Sequence, residues 1–171
     1  MTWTAPDAAR ADGSLVAGER ETLTDFLSFH RATLLQKCAG LTGPQLAERA
    51  VPPSRLSLLG LVRHMAKVER TWFRERFAGQ KLEPMYDPAL GKDADFEHLD
   101  PARAEADHAR LCEEIRLARE VVAAAGLDET FVHRDEVYSL RLVHVHMISE
   151  YSRHLGHADL LRERIDGAKG Y

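Results

Sequence analysis

The feature that most limits how this chain can fold is the spacing of its apolar residues. They recur at steps of three and four through four long stretches, the period that stacks side chains on one face of a helix. In 19–38 the series is Leu23, Phe26, Leu27, His30, Leu34 and Cys38, closed by Gly40. In 57–78 it is Leu58, Leu61, His64, Met65, Val68 and Trp72, with Arg63, Lys67, Arg70, Arg74 and Glu75 at polar positions. A third helix is announced by Leu99 as a hydrophobic staple, Asp100 as cap and Pro101 at the first helical position; it runs through Leu111, Ile115 and Val122 to a stop at Gly126. The fourth starts from Ser139 and ends at Gly167.

The connections are of different kinds. Between the first two helices, Thr42 and Pro44 can start one short turn of helix, and Pro52 with Pro53 stops regular structure. The stretch 79–99 shows mixed charge and no long period, and reads as a long surface connection of the sort that often lines a site. TFVHRDEVY, ahead of the fourth helix, fits either a small hairpin or an extended crossover. The pattern predicts an all-α protein whose leading architecture is a four-helix bundle, with a topology other than simple up-down suggested by the long connection between helices two and three.

A chain of 171 residues is one domain on size, large enough to bury a core without disulfides or a structural metal. Residues 1–17 lack a sustained period and are expected to be a flexible lead-in, leaving 18–171 as the domain. A net charge of −4 with both signs interspersed argues against nucleic acid as a partner. No apolar run approaches the ~18 residues of a membrane span, and the first residues lack the basic start and apolar centre of a signal peptide, so a cytoplasmic location with no membrane partner is expected. Cys38 and Cys112 stand singly in helical patterns and are expected to be buried small hydrophobes.

The fourth helix carries a surplus of ligand-type side chains in HMISEYSRHLGHADLL. At about 100° per residue, Val143, His146, Glu150, His154, His157 and Leu161 fall within roughly an 80° sector. Glu150 and His154, four apart, stack on adjacent turns and can converge on one ion. A third ligand must come from another helix, and His64 interrupts the apolar face of helix two where leucine would be expected. Three protein ligands with an open fourth position is the pattern of catalytic zinc. The competing interpretation is a set of hydrogen-bonded core histidines or a solvated helix face. His144 points roughly 160° from His146 and is expected to be peripheral, while His98, His108 and His133 lie in polar contexts that suggest the surface. His30 fits a hydrogen-bonded core residue or a group approaching the site.

Taken with those residues, the segments LSLLGLVRHMAKVERTWF, SLRLVHVHMISEYSRHLGHADLLRERIDG and FLSFHRATLLQKCAGLTGPQLAERAVPPSRLSLLGLV resemble the DinB-like superfamily of metal-binding helical proteins. The likeness is strongest to the actinobacterial branch containing mycothiol-dependent S-transferases, and covers nearly all of the chain after residue 17. The resemblance implies a DinB-like four-helix bundle. It matches the family's first ligand histidine to His64 in LVRHMAKVE and its helix-four pair to Glu150 and His154, with His157 where many relatives have glutamine and Asp159 following. One departure is Ser149, where close members often carry a glutamate beside Glu150.

The resemblance implies a metal-dependent thiol S-transferase: a divalent cation, zinc in the first instance with nickel or iron compatible with the same donors, and mycothiol or a related low-molecular-weight thiol attacking an electrophilic small molecule in detoxification or stress. No residue beyond the metal centre is assigned as catalytic. His30, His146, Arg153, His157 and Asp159, and further out Arg162, are weaker candidates for orienting the thiol or supporting the ligands. A homodimer is a further implication. Two other functions fit the same residues, a metal-assisted hydrolase or isomerase that activates water, and a non-catalytic metal-binding stress-response protein.

Overall fold

The computed structural model describes residues 2–170. Four long helices carry the chain: α1 (Glu19–Cys38), α3 (Leu58–Glu69, continued by Arg70–Phe77), α5 (Ala104–Val122) and α6 (Leu140–Asp166). Two short helices, α2 (Gly43–Ala47) and α4 (Ala94–Glu97), lie in the connections, and the one-turn segments Pro88–Leu90 and Pro101–Arg103 are 3-10 helices. The chain is mostly helical, as the apolar period requires.

The helix ends follow from local chemistry. Ser57 Oγ accepts a hydrogen bond from the amide of Gly60 at 3.1 Å, and Ser139 Oγ one from Leu142 at 3.2 Å, each satisfying an amide that the first helical turn leaves without a partner. Asp100 does the same for Ala102 in the 3-10 turn that leads into α5. Gly167 closes α6 with φ of 80°, a left-handed conformation that costs glycine little.

Side-chain pairs fix the relative directions. Glu19 meets Arg141 and His30 meets Ser152, both 122 residues apart, so α1 and α6 run parallel. Arg63 meets Asp107 and Arg70 meets Glu114, both 44 apart, so α3 and α5 are also parallel. His64 faces His154 and Trp72 faces His146, which makes α3 antiparallel to α6. The order is therefore up, down, down, up, and two successive parallel helices require the long 79–99 connection to return the chain. Leu27, Leu34, Leu58, Leu61, Met65, Leu111, Leu140, Val143 and Met147 are buried where these helices meet. Each such side chain contributes about 1.5–3 kcal/mol by leaving water.

Of the two forms that TFVHRDEVY fits, the structure has the hairpin: β1 (Thr130–His133) pairs antiparallel with β2 (Glu136–Ser139), and Arg134 and Asp135 take φ of 52° and 65°, the two positive values that a tight two-residue turn demands. Several other expectations need revision. The second helix extends to Phe77, but its last eight residues are π-helical, with one more residue per hydrogen-bonded ring. Cys38 is buried, whereas Cys112 is exposed because α5 buries the face carrying Ala104, His108, Leu111, Ile115 and Ala118. His108 belongs to that buried face. His144 is buried too, because α6 is gripped by α1 on one side and α3 on another, a wider buried sector than a single stripe provides. Within the lead-in, Ala5 is buried and exchanges backbone hydrogen bonds with Gly40 and Leu41, and Thr4 bridges Thr42.

Candidate metal centre

The antiparallel packing of α3 on α6 brings His64, Glu150 and His154 together. One ligand atom from each can be chosen so that all lie within 4.8 Å of one another. Glu150 and His154 are adjacent because they are four residues apart on α6, with Glu150 Oε2 3.4 Å from His154 Nε2. His64 enters from α3, its ring centroid 4.7 Å from that of His154 in an edge-on arrangement. None of the three is fully open to solvent: His154 is buried, and His64 and Glu150 are half-buried.

The surroundings favour lone pairs over protons. Burial, and then the neighbouring His64, lower the His154 pKa from its ordinary value to about 4, so at neutral pH this ring is uncharged. A neutral imidazole is the form that binds a metal. Two imidazoles and a carboxylate converging within 4.8 Å thus form a donor set of the right chemistry and spacing for a borderline divalent ion such as zinc, nickel or iron. The residues fit such a cation.

Residues 94–96, in the stretch expected to be a surface connection, complete the surroundings. Asp95, on α4 and buried, places Oδ2 2.8 Å from His64 Nδ1, and Lys67 Nζ stands 3.4 Å from its other oxygen. Burial pushes the Asp95 carboxyl up, but the His64 hydrogen bond and the Lys67 charge outweigh it and hold the group below its ordinary range. Phe96 stacks on the His64 ring with centroids 4.6 Å apart. Neither residue carries a periodic signal; the one hint in the sequence is the length of the connection itself.

The weaker candidates separate into two groups. His146 and His157 are at the centre: His146 Nε2 is 3.9 Å from Glu150 Oε1 with its ring 4.2 Å from that of Trp72, and His157 Nδ1 is 3.4 Å from His154 Nδ1. His30, Asp159 and Arg162 interact elsewhere. His30 Nε2 meets Ser152 Oγ at 2.7 Å across the α1–α6 contact, Asp159 pairs with Lys37, and Arg162 donates to the carbonyls of Lys37 and Ala39. Arg153 is exposed, next in sequence to His154.

One turn or so along the same α3–α6 contact lies a second polar group that periodicity also missed. Glu69 is fully buried, bound by Arg31 through two hydrogen bonds of 2.6 and 2.7 Å and by Tyr151 Oη at 2.8 Å. Glu69 sits beside the apolar stripe of helix two, where a charged residue reads as solvent-facing.

Comparison with known proteins adds a family assignment. A family model described as mycothiol-S-transferase matches residues 22–167, a span that contains all three convergent residues and every long helix but the first few residues of α1. No curated protein and no solved structure matches the chain. With the match covering most of its length, the chain belongs to the mycothiol-S-transferase family, a DinB-like family.

Proposed function

We propose that this protein is a metal-dependent S-transferase that joins mycothiol, or a related low-molecular-weight thiol, to an electrophilic small molecule. The observation that carries the reading is the convergence of His64, Glu150 and His154 within 4.8 Å in a chain of this family. A divalent cation bound there supplies Lewis acidity, which favours the thiolate over the thiol at neutral pH. The four long helices are read as the DinB-like four-helix bundle, with 18–171 as the domain.

The chain's own residues hold the donors in place. His154 offers a neutral ring nitrogen, Glu150 brings one negative charge, and His64 closes the set from the opposite helix. Trp72 and Phe96 place aromatic rings against His146 and His64 and so flank the donor set. The protein's own thiols are poorly suited to act as nucleophile. Burial drives Cys38 up to about 12, and the partial desolvation of Cys112, exposed though it is, also raises that thiol, so neither is a ready thiolate and the attacking sulfur is assigned to the co-substrate.

Zinc is the ion proposed first, since two histidines and a carboxylate hold it in catalytic sites, with nickel or iron compatible with the same donors. His146 and His157 are assigned supporting contacts to Glu150 and His154. A cytoplasmic homodimer acting on small molecules completes the proposal; no helix among the described residues is long and apolar enough to cross a membrane.

The test is His154→Ala assayed with and without thiol. Thiol-dependent turnover is expected to disappear while circular dichroism and the unfolding midpoint show an intact fold. Unchanged turnover would sink the proposal, and wild-type turnover indifferent to added thiol would assign the site to water activation instead.

A further inference from the structure

We propose that Asp95 is a positioning residue: it fixes His64 as the Nδ1–H tautomer and leaves Nε2 as that ring's one lone pair for a metal. The inference rests on the metal-centre reading above and deepens it.

The bond itself sets the direction. Asp95 is 1% exposed, and its Oδ2 stands 2.8 Å from His64 Nδ1. A carboxylate can only accept, so the facing nitrogen must carry the hydrogen. Hydrogen bonding at one ring nitrogen in this way determines which nitrogen is free to ligate and holds the ring in orientation. Lys67, 3.4 Å from Oδ1, supplies a compensating positive charge for the buried carboxylate.

The arm that carries Asp95 is itself held. Arg63 donates from Nε to the Asp95 carbonyl at 3.0 Å and from Nη2 to the Ala94 carbonyl at 3.2 Å, tying α4 to α3 through backbone atoms. Asp107 fixes Arg63 with two contacts of 3.1 and 3.3 Å, and the Tyr86 ring lies beneath the guanidinium at 4.2 Å. Consecutive residues then grip His64 twice, Asp95 at an edge nitrogen and Phe96 against the ring face. Gly60 leaves room for this arrangement, since a Cβ there would come within 3.2 Å of the Phe96 ring. An apolar residue at 95 would avoid the desolvation cost of a buried charge, so the position of this carboxylate is accounted for by what it does to His64.

Two measurements test this. Long-range nitrogen–proton NMR correlations on metal-free protein are expected to show His64 protonated at Nδ1, with Asp95→Ala shifting the ring to a mixture or to Nε2–H. Chelator competition is expected to show zinc held about 10–100-fold more weakly by Asp95→Ala, and a smaller loss for Asp95→Asn, whose amide oxygen can still accept from Nδ1–H. A wild-type His64 protonated at Nε2, or zinc held by Asp95→Ala as tightly as by wild type, overturns the proposal. If Asp95→Ala fails to fold, the wild-type tautomer decides, and Nε2–H in wild type overturns the proposal. Wild-type protein that takes up none of zinc, nickel and iron would remove the metal-centre reading, and the tautomer would still report on Asp95.

Discussion

Helices α3 and α6 meet at two polar clusters set little more than a turn apart, and the two are built differently. Glu69, Arg31 and Tyr151 form a closed set with contacts of 2.6–2.8 Å. His64, Glu150 and His154 stand further apart, with 3.4 Å between the α6 pair, and their donor atoms converge. A buried charge that serves the fold is satisfied from all sides, because any unmet valence is a direct loss of stability. A cluster that serves a ligand keeps lone pairs free, and accepts weaker contacts within the protein in return. Buried polarity alone therefore does not mark a site; what distinguishes one is incomplete pairing among groups that converge.

The largest effect should come from breaking the closed cluster. Arg31→Met leaves Glu69 buried with one hydrogen-bond donor, and is expected to cost about 3–5 kcal/mol in urea unfolding, the range for removing one partner of a buried ion pair. A loss below about 1 kcal/mol would mean that the set is not the closed network described.

The next effect concerns pH. His144, buried against Phe73, is held neutral chiefly by desolvation, its pKa lowered below 6.5. The native state then binds fewer protons than the unfolded state just below pH 6.5, so stability is full above that value and falls as the pH drops through it. His144→Gln should flatten this acid-side decline in metal-free protein. Parallel wild-type and variant curves of unfolding midpoint between pH 7 and 5 would assign the decline to other groups.

The smallest stability effect is expected at the open cluster. Glu150→Gln should change the unfolding free energy of metal-free protein by less than about 1 kcal/mol, because its contacts are long and partly solvated. The same variant should hold zinc at least tenfold more weakly in chelator competition. A variant as destabilised as Arg31→Met would erase the contrast between the clusters.

The difference in construction also explains what could be read from the sequence. The pairing of Glu150 with His154 was legible because residues four apart on one helix share a phase, and phase is local; joining His64 to them across two helices took the resemblance to the DinB-like proteins as well. The helices and their caps were legible because they too are local, as Ser57, Ser139 and Gly167 show. Asp95 and Phe96 were not, since they reach His64 from 31 and 32 residues away along a connection without periodicity. Arg31 and Glu69 were hidden by their charge, which suggests solvent unless the partner is known. The π-helical turn at Arg70–Phe77 has no comparable local signal, yet Trp72 and Phe73 point from it toward His146 and His144.

The two ends of the described chain rest on the same short stretch. Ala5 is hydrogen-bonded to Gly40 and Leu41, and Lys37 donates to the carbonyl of Gly170. In mechanical terms, a pull applied between residues near 5 and 170 loads the end of α1 first. Those few contacts would yield one after another, while the α3–α6 contact that carries the histidines lies outside the direct line of force.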